Sequence, residues 1–341
     1  MLFRSGRRIP GSERWRATAA GMVVRPLSPA SGRRLLAMAV MRRLLDLDES
    51  RLADEVFRRR ADAFLFRRVS GASIGVTVDG TSIDVGPTDR VGHFLARIDL
   101  AAAAATGSLP GGVIRYDGAA REPRGDGERE GLEFRGDGRI HLVGEEGLSV
   151  ISDIDDTVKV TDVGNRRELL ANTLFREFRA VPGMPEVYRD WAAAGAAFHY
   201  VSSSPWQLAA CLDGFFTAAG IPGGSMHLKL FRLKDSTPLG RLGSRKRSKR
   251  RAIEQILDDF PRRRFILVGD SGERDPEVYT AVARRRPGQV RAVVIRSLEG
   301  HAGAEKTARR LDRLARRLPR GVFSVFTDPD EIRALADDAR A

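Results

Sequence analysis

Hydrophobic and polar positions follow two patterns in turn along the C-terminal part of the sequence, from residue 148 onward. Short apolar runs such as "LSVIS", "AFHYVS" and "RFILVGD" have the length and composition of buried β-strands. Between them lie stretches with apolar residues three and four positions apart, which predict α-helices. This unbroken alternation predicts an α/β fold, a parallel sheet with helices on both faces. Ligands of such sheets bind beyond the carboxyl ends of the strands, so the residues that follow each strand are candidates for function.

The pattern before residue 148 differs and predicts two more parts. Residues 1–66 are basic, show little periodicity up to about residue 30 and then acquire helical spacing, so we expect an N-terminal extension with one or two helices. Residues 67–147 contain short strand-like runs separated by Gly and Asp, with Asp79-Gly80 at a hairpin position. We therefore expect a small antiparallel β domain at 67–147, a sandwich or barrel, and an α/β domain at 148–341.

The charge of the chain favours anionic partners. The 341 residues carry a formal net charge of +13, which attracts phosphate-bearing substrates, nucleic acid or an acidic membrane surface. Aromatic residues make up only 7% of the chain, and no base-stacking motif accompanies the basic runs, which argues against nucleic acid. No long apolar run occurs, so no membrane-spanning helix is expected. The single cysteine, Cys211, fits a reducing compartment, and we expect a cytoplasmic protein.

Polar and acidic residues follow three of the predicted strands. Because the carboxyl ends of parallel strands share one sheet edge, these side chains are expected to converge there. Clustered carboxylates repel one another unless a cation neutralises them, and Mg²⁺ prefers such oxygen ligands. A carboxylate beside the metal can attack phosphorus, while a lysine and a hydroxyl stabilise the transferring phosphoryl group. The pattern therefore indicates metal-assisted phosphoryl transfer by residues drawn from this set: Asp153, Asp155, Asp156, Thr157, Ser202, Ser203, Ser204, Lys246, Lys249, Asp270 and Asp275.

The motifs at the strand ends resemble those of a known superfamily. "DIDDT" has the DxDxT form of the haloacid dehalogenase-like phosphatases. More narrowly, "SDIDDTVKVTDV", "PGMPEVY", "FHYVSSSPWQL" and "FILVGDSGERDPEVY" resemble, in this order, the actin-patch type magnesium-dependent phosphatidate phosphatases and their bacterial relatives. The resemblance covers about residues 148–300. It implies a Rossmann-like doubly wound parallel sheet for the catalytic part, preceded by a small β-sandwich-like domain.

The resemblance also implies roles for the first two motifs. Asp153 would be the nucleophile and a magnesium ligand, and Asp155 the general acid/base, with its backbone carbonyl on the metal. Thr157 would support the loop through hydrogen bonds. Ser202 would bind the phosphoryl group, and Ser204, in the same serine run, is a second candidate for substrate contact. Taken alone, Asp153 and Asp155 fit a helix cap and a solvated turn equally well.

The remaining motifs supply a lysine and two carboxylates. Lys249, near the start of the helix that precedes the "RFILVGD" strand, would stabilise the transferring phosphoryl group. Lys246 and Arg250 are alternatives for this role, and Lys246 is also a candidate for substrate binding. Asp270 would complete the Mg²⁺ ligands, and Asp275 would orient a metal-bound water.

The substrate that the resemblance implies is phosphatidate or a related anionic phospholipid, reached peripherally at a membrane surface. Residues 159–180 form a short helical insertion where related enzymes carry a cap, and it is too small to enclose a substrate. Lys159, a further substrate-binding candidate, and the basic run 241–251 are expected to hold an anionic surface electrostatically. Two alternatives stay open: a phosphatase of a soluble phosphomonoester or phosphoprotein, and a non-enzymatic protein that binds anions or nucleic acid through charge.

Overall fold

In the computed structural model, the chain divides into two units, residues 1–143 and residues 144–341. Each unit has its own main sheet. The structure describes the following residues: 4–9, 11–45, 47–100, 112–121, 133–162, 166–229, 238–298 and 304–340. None of the helices within these ranges combines the length and the apolar character needed to cross a lipid bilayer.

The first unit contains nine strands among its described residues. Their bounds are β1 Arg4–Arg8, β2 Trp15–Met22, β3 Val24–Pro26, β4 Phe66–Arg68, β5 Ser73–Val78, β6 Thr81–Pro87, β7 His93–Leu100, β8 Val113–Arg121 and β9 Glu133–Val143. Seven of them form one sheet in the order β6-β5-β8-β9-β1-β2-β7, and β3 pairs with β4. Within this sheet β1 and β9 are parallel, and the other neighbouring strands are antiparallel. The edge strands β6 and β7 contact each other, so the sheet curls around its apolar core.

The predicted hairpin at Asp79-Gly80 is confirmed. These two residues join β5 to β6, and Val78 lies opposite Thr81. Both have positive φ angles, 48° at Asp79 and 73° at Gly80. A two-residue turn between right-twisted strands requires this conformation, which Gly and Asp adopt more readily than other residues.

The predicted boundaries of the first two parts are corrected by the structure. β1 and β2 are members of the seven-stranded sheet, so the β domain includes the N-terminal strands instead of beginning at residue 67. β2 buries small residues, Ala17 and Ala19, which give a weak strand signal. β1 pairs with a distant partner, with Gly6 opposite Leu142, and no local pattern reveals such a partner.

Helices of the first unit lie between β3 and β4 in the chain. Three are described, where one or two were expected: α1 Gly32–Leu45, α2 Glu49–Ala53 and α3 Glu55–Asp62. The carboxylates of Asp48 and Asp54 cap α2 and α3, because each accepts a backbone N–H of the first turn at 2.8 Å.

The second unit is built on six parallel strands among its described residues. Their bounds are β10 Leu148–Ser152, β11 Ala197–Pro205, β12 Ser225–Lys229, β13 Arg264–Asp270, β14 Val290–Arg296 and β15 Phe323–Phe326. The order is β12-β11-β10-β13-β14-β15, and all neighbouring pairs are parallel. The first strand is central, and later strands are added on either side of it. The ends of β10, β11 and β13 therefore flank the topological switch point, where α/β sheets bind ligands.

Helices alternate with these strands along the chain. Their bounds are α4 Arg166–Leu174, α5 Met184–Ala193, α6 Ala209–Ala218, α7 Pro238–Asp259, α8 Asp275–Arg285 and α9 Ala304–Ala315, with 3₁₀-helices at Trp206–Leu208 and Pro329–Arg340. The five residues of β10 are all buried, because both of its neighbours are strands and helices cover the sheet. The residue that follows β10 therefore starts from the rigid core of the unit.

Candidate active site

Three carboxylates converge where β10 and β13 end. Asp153 directly follows β10, Asp270 is the last residue of β13, and Asp275 opens α8. One oxygen from each lies within 4.8 Å of the other two. The three residues are at most 1% exposed. The predicted convergence of Asp153 and Asp270 at one sheet edge is therefore observed, and Asp275 joins them.

Lys249 is the cation in contact with this acidic cluster. Its Nζ, on α7, donates to Asp153 Oδ1 at 2.7 Å and to Asp275 Oδ1 at 2.5 Å. It also lies 5.8 Å from the ring centre of Tyr279. Burial lowers the pKa of Lys249, but the charges of Asp153 and Asp275 outweigh burial and raise this pKa well above its usual value. The lysine is therefore charged.

The acidic cluster has an excess of negative charge that fits a divalent cation. Burial raises the pKa of Asp153 and of Asp270 well above the usual value, and the neighbouring carboxylates add to this rise against the opposing charge of Lys249. Within the described part of the chain, Oδ2 of Asp153, Asp270 and Asp275 has no hydrogen-bond partner. Mg²⁺ takes carboxylate oxygens of this kind and keeps water or phosphate oxygens in its other positions. The three residues thus fit a magnesium ion by charge, burial and donor chemistry.

Asp155 takes part in a second polar network. Its Oδ1 accepts hydrogen bonds from Lys159 Nζ and Thr161 Oγ1, both at 2.8 Å. Its Oδ2 accepts from Ser204 Oγ at 2.7 Å and from Ser202 Oγ at 3.1 Å. Burial raises the pKa of Asp155, but the charge of Lys159 and the hydrogen bonds from Lys159, Ser204 and Thr161 lower it below its usual value. Asp155 is therefore an ionised carboxylate held by four donors.

The third side chain in the acidic cluster is that of Asp275. The resemblance counted Asp155 among the metal ligands through its backbone carbonyl. The carboxylate of Asp155 is occupied by Lys159 and by hydroxyl groups. Asp275 was expected to orient a metal-bound water, and one of its oxygens lies within 4.8 Å of oxygens of Asp153 and Asp270. Its role toward the metal, like that of the backbone carbonyl of Asp155, stays a prediction.

The loop after β10 is organised by Asp156. Its Oδ1 accepts the backbone N–H groups of Thr161 and Asp162, both at 2.7 Å. Its own backbone is left-handed, with φ 53°, a conformation that Asp tolerates because its short side chain bonds locally. The hydroxyl of Thr157 is buried and has no partner among the described residues. The loop-supporting role predicted for Thr157 is therefore corrected to Asp156.

The predicted surface role of Lys159 is wrong. This side chain is 2% exposed, is paired with Asp155, and lies 4.8 Å from the ring centre of Phe178. A buried and paired ammonium cannot attract a lipid surface. Lys159 belongs to the hydrogen-bond network of Asp155, where it also donates to Thr161 Oγ1 at 2.6 Å.

The structure separates the candidates for the lysine role on α7. Arg250 Nε donates to Glu254, on the same helix, at 2.8 Å. The side chains of residues 241–246 lie outside the described residues, so the proposals for Lys246 and for most of the basic run stay predictions. Lys249 is the residue that contacts Asp153.

The turn after β13 holds Asp270 in place. Its Oδ1 accepts the backbone N–H groups of Gly272 at 2.6 Å and Glu273 at 3.0 Å. Gly269 allows the strand to approach Asp275 closely, because a Cβ atom at this position would lie 2.4 Å from Asp275 Oδ2. Any side chain at position 269 would therefore push Asp275 away from Asp270.

Supporting residues were missed by sequence reasoning. Thr161 lies within the quoted first motif, and its polar character eight residues after Asp153 was an available signal. Arg310, on α9, donates to Ser271 O at 3.2 Å and Glu273 O at 2.7 Å. The arginines of this helix recur at regular spacing, and that spacing does not show which one turns inward.

Comparison with known proteins places the site in a family-matching segment. Residues 148–297 match the family described as "Phosphatidate phosphatase APP1, catalytic domain". The chain is 38% identical over 160 residues to Phosphatidate phosphatase APP1 of Saccharomyces cerevisiae, over 46% of this chain and 27% of the yeast protein. It is 32% identical over 163 residues to an uncharacterized protein of Schizosaccharomyces pombe, over 47% of this chain and 26% of that protein. The chain thus spans about a quarter of the length of these curated relatives.

Similarities to solved structures are weak. A carbohydrate esterase structure aligns at 13% identity over 74% of this chain and 86% of that chain, with a TM-score of 0.24. A mutant of the PilB minor pilin from Streptococcus sanguinis aligns at 9% identity over 89% of this chain and 94% of that chain, with a TM-score of 0.28. Similarities at these TM-scores carry no weight for the fold or the function.

Proposed function

We propose that the second unit is a magnesium-dependent phosphoric monoester hydrolase of the haloacid dehalogenase-like class. Within this class, we propose a phosphatidate phosphatase. The observation that carries the proposal is the buried trio Asp153, Asp270 and Asp275, with an unpartnered oxygen on each and Lys249 beside them. These four residues lie within the segment 148–297 that matches the catalytic-domain family. The strand order, with β10 central, supports the class.

Asp153 has the environment of a nucleophile. Its Oδ1 accepts a hydrogen bond from Lys249, and Oδ2 has no partner among the described residues. One of its two oxygens can therefore bind the metal while the other attacks phosphorus. In the first step, the bond between phosphorus and the lipid alcohol oxygen breaks, and that oxygen takes a proton from Asp155. Asp155 is ionised in the substrate-free site, so it takes up this proton before the first step. The step yields diacylglycerol and a phosphoryl group on Asp153. Lys249 stabilises the negative charge on the phosphoryl oxygens.

Asp155 has the environment of the acid/base partner. In the second step, water attacks phosphorus, the bond to Asp153 breaks, and Asp155 takes the proton from the water, which releases inorganic phosphate. Ser202 and Ser204 orient its carboxylate from the end of β11. The proton gained in this step is the one used on the next lipid alcohol, so the cycle consumes one water and leaves the protein unchanged.

The metal would be held by the acidic cluster. Asp153, Asp270 and Asp275 would be its ligands, and Mg²⁺ would supply positive charge beside the transferring phosphoryl group. Lys249 and the metal would together balance the three carboxylates.

Phosphatidate is proposed as the substrate because the yeast relative is named for its activity on it. That relative matches this chain over the segment with the acidic cluster and has a much larger remainder that this chain does not match. A soluble phosphomonoester would use the same residues, so the substrate class has to be measured directly.

The test is phosphate release from vesicles containing phosphatidate, from dioctanoyl phosphatidate and from a panel of soluble phosphomonoesters, with Mg²⁺ and with a chelator. We expect magnesium-dependent release from phosphatidate, and a fall of at least about 10³-fold in the Asp153→Asn variant. Release that persists with chelator or in this variant would contradict the proposed chemistry. Release from soluble esters alone would replace the lipid substrate, and anion binding without turnover would leave only the charge-driven alternative.

A further inference from the structure

Helix α1 presents an apolar surface to solvent in the first unit. Among the described residues, five large hydrophobic side chains are exposed, and three of them lie on this helix. Leu35 is 60% exposed, Leu36 67% and Val40 47%. Ala39, on the same side, is also exposed. Exposed apolar residues are ordinary when they are scattered, but a cluster on one helix marks an interaction surface.

The outward side of α1 is apolar because the central residues of this helix are apolar on every side. Residues 35–40 are consecutive apolar residues, so they occupy every side of the helix. Ala37 and Met38 are half-buried, which accounts for the side that faces the unit. A helix that is apolar all around is normally covered on all sides. We therefore expect a binding partner to cover the outer surface of α1.

The positive charge of α1 favours an anionic partner. The helix carries two arginines at each end and no carboxylate. Arg34 pairs with Asp62 at 2.6 Å, while Arg33, Arg42 and Arg43 are exposed. The fourteen residues span about 21 Å, with the cations at the two ends and the apolar residues between them. Two copies of this helix packed against each other would bring arginines together, whereas an anionic phospholipid surface offers opposite charge and an apolar interior.

We propose that α1 docks the protein on an anionic phospholipid bilayer, lying in the plane of the interface. Leu35, Leu36 and Val40 enter the acyl boundary, and the terminal arginines contact lipid phosphates. The choice of lipid as the occupant rests in part on the proposed phosphatidate activity. Docking would hold the chain at the surface where such a substrate resides.

Vesicle sedimentation tests the docking surface. The probes are phosphatidylcholine vesicles with and without phosphatidate, and the variants are a triple Gln substitution of Leu35, Leu36 and Val40, and a triple Gln substitution of Arg33, Arg42 and Arg43. Glutamine keeps the helix propensity. We expect the apolar variant to lose at least about tenfold in partitioning to both vesicles. The partitioning of the arginine variant should fall about 100-fold on phosphatidate vesicles and little on neutral vesicles. Each near-surface cation contributes about fivefold to binding of an anionic surface, and the variant lacks three of them.

Two matched controls come from the same chain. Leu95, on β7, is 71% exposed, and its change to Gln removes an exposed apolar residue away from α1. Arg313, Arg316 and Arg317 are exposed at and after the end of α9, and their triple change to Gln removes the same charge from another place. Both controls should bind vesicles as the unaltered protein does. Equal losses in the controls and the α1 variants would overturn the proposal.

A fluorescent label reports insertion directly. An environment-sensitive fluorophore is attached at Ala39→Cys in a Cys211→Ser background, which removes the single native cysteine. We expect a blue shift on phosphatidate vesicles at this position and none for the same label at Leu95→Cys. An unshifted label on bound protein would overturn the proposal.

Sedimentation velocity tests the alternative occupant, a second copy of the chain. Concentration-dependent dimers that the apolar variant abolishes would assign α1 to a second copy and overturn lipid docking.

The experiment separates docking from catalysis. Dioctanoyl phosphatidate is dispersed in water, so its turnover should be the same in the α1 variants and the unaltered protein, with unchanged melting curves. Vesicle binding that depends on α1 together with absent phosphatidate turnover would leave docking supported and contradict the proposed function. Turnover on vesicles that does not depend on α1 would contradict docking alone.

Discussion

Lys249 Nζ lies 2.7 Å from Asp153 Oδ1, and both residues are almost fully buried. The pair joins α7 to the end of β10, and Lys249 extends it to Asp275. An ammonium in this position lowers the repulsion among the acidic residues and keeps one oxygen of Asp153 engaged while the other stays available. Two contacts of one lysine thus define the geometry of the acidic cluster.

The Lys249→Met variant is expected to lose about 10²- to 10³-fold in the rate of phosphate release, because it removes the charge that stabilises the phosphoryl group. It should also destabilise the metal-free protein by about 3 kcal/mol, since Asp153 and Asp275 lose their cation. Steady-state turnover and thermal unfolding measure the two effects. Arg247, exposed on the same helix, is the matched control, and Arg247→Met should change neither. Similar rates in the two variants would remove Lys249 from the site.

Asp270→Asn is expected to stabilise the protein in the absence of metal. Burial and its neighbours raise the pKa of Asp270, so its charge is costly, and asparagine keeps the acceptor for Gly272 and Glu273. The gain should be about 1 kcal/mol, in the range of substitutions that relieve a functional site. Melting curves with chelator and with Mg²⁺ test this. The unaltered protein should gain stability with Mg²⁺, and the variant should gain much less; an equal gain would place the ion elsewhere.

Lys159 and Asp155 should behave as one energetic unit. Lys159→Met leaves the buried carboxylate of Asp155 without its cation, and we expect a loss of about 3 kcal/mol in the free energy of unfolding. Adding Asp155→Asn should restore much of that loss, since the uncompensated charge is removed. Chemical unfolding of the single and double variants gives the coupling energy of this cycle. Additive losses would mean that the contact is not stabilising.

Arg263 anchors the start of the central strand. Its guanidinium is buried, donates to Ser149 Oγ at 2.7 Å and contacts the carbonyl oxygens of Gly144, Glu146 and Leu148. Burial lowers its pKa to about 10, so the side chain stays charged at neutral pH. Because a lysine ammonium cannot reproduce this planar set of donors, Arg263→Lys should cost about 2 to 3 kcal/mol in unfolding measurements.

The neighbouring arginine is the control for this effect. Arg262 is 57% exposed on its side chain and pairs with Glu145 at the surface. Arg262→Lys should change stability by less than about 0.5 kcal/mol. Equal effects at the two positions would mean that the buried contacts of Arg263 contribute nothing beyond charge.

His141 should make the first unit sensitive to acid. Burial, and then the charge of Arg139, lower the pKa of His141 to about 4. The folded state therefore favours the neutral ring, so this contribution to stability is complete above pH 6.5, the ordinary value, and is lost as the pH falls towards 4. The full effect is about 3 kcal/mol.

Amide hydrogen exchange of β8 and β9 measures this effect in the first unit alone. We compare the unaltered protein with His141→Gln at each pH, because intrinsic exchange rates then cancel. Protection in the variant should depend less on pH between 6.5 and 4. His227→Gln, in the second unit, is the control and should leave the exchange of β9 unchanged. Identical pH profiles for His141→Gln and the unaltered protein would contradict the depressed pKa.

Sequence reasoning succeeded where local pattern determines structure. The apolar run before Asp153 becomes β10, and the run that ends in Asp270 becomes β13. Because parallel strands end at a common edge, the meeting of Asp153 and Asp270 followed from their positions after the strands. Lys249 was selected over Lys246 and Arg250 from its place in α7, and the contact with Asp153 supports that choice.

Other features depend on partners that no local pattern reveals. β1 has no apolar alternation, and it belongs to the sheet through its pairing with β2 on one side and the distant β9 on the other. Lys159 was expected to be a surface cation, because its charge alone does not show that it will be buried in a pair with Asp155, four residues earlier. Arg310 resembles the other arginines of α9 until the turn after β13 is seen beside it. These contacts arise from tertiary packing, which overrides the preference of a charged residue for solvent.

Mass spectrometry of the peptide that contains Asp153, after acid quench of a reaction with phosphatidate and Mg²⁺, tests the proposed chemistry most directly. We expect a phosphoryl group on Asp153 during turnover, and none with chelator or in the Asp153→Asn variant. With an aryl phosphate that has a good leaving group in place of the lipid, the Asp155→Asn variant should accumulate more of this phosphoryl group than the unaltered protein does. Rapid phosphate release with Asp153 unmodified, or a phosphoryl group on another residue, would contradict it.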